Sequence, residues 1–102
     1  MNKKLNTTYE FEFCNGEKTD LTLTFYALMQ LSSKNKHAYD RYNRIMSTKD
    51  TNELEMVYVL YTAYLCAHID EEVMTEEEFI IKCGADRYAL KDAVEALLKP
   101  KK

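Results

Sequence analysis

The sequence predicts a small single domain of the mainly α (α+β) class, with an N-terminal β-hairpin packed on about five helices. Three observations predict it. The 102-residue chain has room for one core and not for two. It carries only 2 Gly and 1 Pro, too few for the many tight turns of an all-β domain. Its apolar residues alternate with period two near the start, then take the helical period from Phe25 onward.

Tyr9, Phe11 and Phe13 alternate with Glu10 and Glu12, and Leu21 and Leu23 with Thr22 and Thr24, so each run puts its apolar side chains on one face. Asn15-Gly16 between the runs suits the positive φ of a turn, and residues 17–20 lengthen the loop beyond two residues. Two strands alone are marginal, so their aromatic face must lie on helices. Residues 26–33 read as a short helix capped by Thr24, with Leu28, Met29 and Leu31 inward. Residues 36–46 form a more polar helix striped by Ala38, Tyr42, Ile45 and Met46.

Asp50, with Glu53 three residues on, suits the N-terminus of a long helix ending near Ile69. Past the acidic loop at 70–73, Thr75 and Glu78 form a capping box, with Met74 and Phe79 in the hydrophobic-staple positions. Glu76 and Glu77 favour the positive end of that helix. Gly84 ends it. Asp86 caps a last helix striped by Ala89, Leu90, Ala93, Val94, Leu97 and Leu98 and stopped by Pro100. The whole of 1–102 is one domain on this reading, with 1–8 and 99–102 flexible.

A content of 46% hydrophobic and 30% charged residues excludes a largely disordered chain. A net charge of −3 supplies no global positive field to collect nucleic acid. Cys14, Cys66 and Cys83 are an odd number, which suits reduced thiols in a cytosol better than a disulfide framework. The basic start lacks the apolar run of a secretory signal. The most apolar stretch, 56–69, falls short of the roughly 20 residues that span a bilayer, so no membrane partner is expected.

The residues of catalysis are not assembled by any motif. Cys66 and His68 diverge by about 160° on a helix and no Cys-x-x-Cys or His-x-x-x-His pair occurs, so neither metal nor cofactor is expected. Ser32, Ser33 and Ser47 lack a Gly-x-Ser-x-Gly setting, and His37 and His68 have no evident nucleophile partner. Gly16 and Gly84 cannot build a phosphate loop, and the 70–78 carboxylates lack the alternation and glycine of an EF-hand. The expectation is a protein that is not an enzyme.

Lys34, Lys36, His37, Arg41 and Arg44, interleaved with Tyr39 and Tyr42, are the one local argument for nucleic acid, and a small DNA-binding regulator using the 34–44 helix is the alternative reading. A solvated face with Tyr42 packed inward explains the same residues and fits the acidic total better. With the acidic 70–78 run, this segment makes the chain two-sided in charge. Such a chain suits either head-to-tail self-association or an internal salt-bridged arrangement.

On a helical wheel, residues 54–69 show two unlike apolar faces. Leu54, Val57, Tyr58, Tyr61, Leu65 and Ile69 make a bulky one with His68 at its margin; Met56, Val59, Ala63, Cys66 and Ala67 make a flatter one, with Glu55 and Thr62 on a seam between them. A helix apolar almost all round is ordinarily enclosed by its own domain. The alternative is that so small a domain leaves one face open to a partner helix or a second copy.

The stretch Tyr58-Val59-Leu60-Tyr61-Thr62-Ala63-Tyr64-Leu65-Cys66-Ala67-His68, followed by Met74-Thr75-Glu76-Glu77-Glu78-Phe79, resembles the tail assembly chaperones of long-tailed, siphovirus-type phages and prophages of Gram-positive bacteria. The run leading into Ala27-Leu28-Met29-Gln30-Leu31 fits the same pattern, and the resemblance spans about residues 20–98. Thr62 and His68 depart from the small or Asn residues more common there. The resemblance implies a non-enzymatic protein of the host bacterial cytoplasm that binds the tape measure protein, keeps it soluble, yields to the tail tube protein and is absent from the mature virion. It also implies a longer frameshifted form, with which Lys99-Pro100-Lys101-Lys102 is compatible. Helix-in-groove recognition would use rigid Tyr and adaptable Met contacts, which nominates Tyr58, Tyr61 and Tyr64 with Met29 and Met46 nearby. A structural head–tail connector is a third reading.

Overall fold

A computed structural model describes residues 8–48, 52–84 and 87–98 of the chain. β1 (Thr8–Glu12) and β2 (Lys18–Thr22) pair antiparallel, Tyr9 opposite Leu21 and Phe11 opposite Thr19. Between them, Phe13 N–H donates to Glu17 C=O at 2.7 Å and Gly16 N–H to Phe13 C=O at 3.0 Å. Gly16 sits at φ 92°, where a side chain would be strained. The second strand starts earlier than the apolar alternation implies, because Lys18, Thr19 and Asp20 pair through their backbones whatever their side chains. Thr8 belongs to β1, while the rest of 1–8 and all of 99–102 lie outside the described residues.

α1 (Phe25–Lys34) is capped as expected by Thr24, whose hydroxyl accepts from Ala27 N–H at 3.1 Å. Its buried side chains are Ala27, Leu28 and Leu31. The inward placement of Met29 is corrected: it lies about 150° from the centre of that stripe and is 62% exposed. α2 (Lys36–Met46) buries Ala38, Tyr42 and Ile45, leaving Met46 at the edge of its stripe, 42% exposed. Asn35 caps it through Ala38 N–H at 3.2 Å.

α3 (Glu53–Ala67) starts from a capping box made by Asn52 and Glu55, which exchange bonds of 2.8 and 3.1 Å. Asp50, expected as the cap, lies outside the described residues; Asn52 fills that role. The Thr75–Glu78 box at the start of α4 (Glu76–Cys83) is complete, and Gly84 ends the helix at φ 74°. α5 (Arg87–Leu98) buries Leu90 and Ala93 and packs Val94 and Leu97, while Ala89 and Leu98 stay exposed. Asp86 and Pro100 lie outside the described residues.

α3 is the axis of the domain, packed against β2, α1, α2, α4 and α5. Both of its faces are consequently covered: residues 57–60 and 62–66 are all buried, and among its described side chains only Leu54, at its first turn, is largely exposed. Thr62 on the seam is fully buried and donates to Tyr58 C=O at 2.9 Å, the local bond that makes a hydroxyl tolerable there. The hairpin loop grips the end of α4. Cys14 N–H donates to Lys82 C=O at 2.9 Å, and Lys82 Nζ meets Glu17 at 2.8 Å. Gly84 is required there twice over, since a Cβ would stand 2.8 Å from that of Cys14.

Candidate functional site

The three nominated tyrosines occupy one side of α3, and the structure turns that side inward. Tyr58 is 3% and Tyr64 7% exposed, with Tyr61 half-buried between them. Phe79 of α4 meets Tyr61 and Tyr64 with ring centroids at 5.4 and 5.3 Å, and Phe13 reaches Phe79 at 5.5 Å. Tyr61 donates to Met74 C=O at 2.9 Å, while Met74 N–H donates to the Tyr64 hydroxyl at 3.1 Å. The pair thus fixes the residue that precedes the α4 cap. Burial pushes the Tyr61 phenol up to about 12, helped by neighbouring Tyr58 and Glu76. Tyr58 and Tyr64, nominated for partner binding, have their rings committed to the core, and exposing them would open it.

Met29 and Met46 are not beside these tyrosines. They face each other across a groove of about 390 Å³ between α1 and α2. Leu28 and Tyr42, both buried, form its floor; Phe25, Met29 and Ser32 line one wall, and Tyr39, Asn43 and Met46 the other. Phe25 is 91% exposed at the lip. The sequence reading missed Phe25 because it began the helix one residue late, yet the i,i+4 spacing of Phe25 and Met29 was the available signal. The groove has the volume of a small-ligand cleft but is lined by no charged residue among those described, so it suits apolar side chains.

The basic segment is largely met from within the molecule. Lys34 reaches Asp70 at 2.6 Å and Arg41 reaches Glu76 at 3.1 Å, joining the 34–44 helix region to the acidic run, and Lys36 pairs with Asp40 at 3.1 Å. The Arg41 guanidinium also lies 3.8 Å from the centre of the Tyr58 ring. The Lys34–Asp70 and Arg41–Glu76 pairs join the two oppositely charged segments within one molecule.

Cys66 and Cys83 are buried free thiols, each pushed up to about 12 by desolvation, and Cys14 is exposed. Among the described residues no group of three or more His, Cys, Asp or Glu is placed to hold a metal ion, and no helix is long and apolar enough to cross a membrane. His68, which has no evident nucleophile partner in the sequence, does have a hydroxyl beside it: Thr19 Oγ1 lies 3.1 Å from Nε2, with Glu71 Oε1 2.8 Å from Nδ1. Forty-nine residues separate Thr19 from His68, so no local motif could have signalled the contact. Compared with protein-family models, curated proteins and solved structures, the chain matches none.

Proposed function

We propose that this protein is a non-enzymatic tail assembly chaperone that shelters an apolar helical segment of the tape measure protein in the α1–α2 groove and yields it as the tail tube assembles. The observation that supports this reading is the groove itself, where Phe25, Met29 and Met46 stand exposed around an apolar floor. Covering each large apolar side chain is worth about 1.5–3 kcal/mol before the costs of association are subtracted. Thioethers adapt to many side-chain shapes, which suits a client held along a repetitive helix and then released. The likeness of residues 58–68 and 74–79 to tail assembly chaperones supports the identity of the client.

The test is co-expression with the tape measure protein of the same tail gene cluster. The wild-type chain is expected to co-purify with it and to hold it soluble. Met29→Glu combined with Met46→Glu is expected to abolish both while leaving the circular dichroism spectrum unchanged. A folded double variant that still retains the client overturns the placement; a wild-type chain that never retains it overturns the function.

A further inference from the structure

His68 caps the C-terminus of α3, and the hydrogen-bonded turn from His68 C=O to Glu71 N–H, 3.0 Å, brings the Glu71 carboxylate back to its own ring. Tyr64, one turn earlier, packs on that ring at 4.9 Å. From the other side β2 delivers Thr19, so the imidazole is held by a helix, a turn and a strand. A carboxylate only accepts, so Glu71 takes a hydrogen from Nδ1; in the neutral tautomer this leaves a lone pair at Nε2, to which the Thr19 hydroxyl can donate. Hydroxyl to imidazole to carboxylate is the order, and the proton polarity, of acyl-transfer triads.

We propose that Thr19 is a base-activated nucleophile that accepts an acyl group from an activated acyl ester, with His68 taking its proton and Glu71 as the positioning residue. The Thr19 oxygen forms a bond to the acyl carbonyl carbon as its proton passes to His68 Nε2. The bond from that carbon to the leaving oxygen breaks, the leaving group departs with the electron pair, and the proton on Nε2 neutralises it. The products are Thr19 carrying an acyl ester and the free alcohol or phenol, with no redox partner needed. The His68 side chain is 22% exposed, which opens the relay to solvent from one side. Nothing in this site draws on the α1–α2 groove, so either reading stands or falls without the other.

The experiment incubates the full chain with p-nitrophenyl acetate and follows acetylation residue by residue by peptide mass spectrometry. Acetyl-Thr19 is expected to form roughly a hundredfold faster than acetyl-Thr8, the exposed threonine of the paired strand, at the lower end of what a positioned general base contributes. Thr19→Ser retains the label and Thr19→Val loses it. His68→Gln brings Thr19 down to the Thr8 rate, and Glu71→Gln slows it in part with the melting temperature unchanged. Thr19 labelling no faster than Thr8, or unaltered in a folded His68→Gln variant, overturns the proposal. Should His68→Gln not fold, the wild-type ratio of the two threonines decides by itself.

Discussion

The tyrosine side of α3 and the groove between α1 and α2 are made from similar residues and meet opposite fates. Each is an aromatic and aliphatic stripe at helical spacing. On α3, partners arrive from three directions: Phe79 from α4, itself backed by Phe13 of the hairpin, Arg41 from α2 and the Met74 backbone from the connecting loop. At the groove only α1 and α2 contribute among the described residues, and Phe25, Met29 and Met46 stand exposed at its rim. Position in the fold therefore separates core from surface here, and residue type does not. A central helix is surrounded by elements from both before and after it in the chain, whereas a peripheral helix pair has one open side.

Substitutions that treat the two regions alike will sharpen or break that contrast. The largest effect is expected from Tyr64→Ala, which removes a buried ring from the Phe79 cluster and the acceptor of the Met74 N–H. A loss of about 3–5 kcal/mol in urea unfolding is expected for a large aromatic truncation. A loss under ~1 kcal/mol would mean that this side of α3 is not core after all.

Alkali comes next. Tyr61, Cys66 and Cys83 hold their protons up to about 12 in the folded chain. A raised folded value means that the native state binds more protons than the unfolded one at high pH, so this stability is intact below the unfolded values and is lost as pH rises toward 12. Thermal melts from pH 8 upward should show a decline that is shallower in Tyr61→Phe, which has no phenol to ionise. At neutral pH the same substitution should cost only about 1 kcal/mol, the usual worth of its hydrogen bond to Met74 C=O. The smallest effect belongs to the groove: Met29→Glu and Met46→Glu should each change unfolding stability by at most ~0.5 kcal/mol. A cooperative collapse of either variant would place that methionine in the core and erase the contrast.

Signals confined to a few neighbouring residues were legible without coordinates. The Thr24 cap, the extent of α2, the Thr75–Glu78 box and the Gly84 stop all rest on groups three or four residues apart. The start of α3 was misplaced because Asp50–Glu53 and Asn52–Glu55 offer the same capping spacing, and only the observed bonds choose Asn52. The site was legible in part. Met29 and Met46 do line one groove with Phe25, while Tyr58 and Tyr64 are buried and Tyr61 is half-buried.

By itself, then, the sequence determined the α-rich class, the N-terminal hairpin, the succession of five helices and the Gly84 stop, because capping, periodicity and turn chemistry act over a few residues. Tertiary structure alone decided which apolar stripe is covered, which cations meet carboxylates inside the molecule, and that Thr19 comes to rest against His68. The ion pairs and the Thr19–His68 contact join residues 35 to 65 positions apart, from Arg41 with Glu76 to Lys82 with Glu17. Such pairings arise only when a shared core draws distant segments together, and no short window of sequence encodes them.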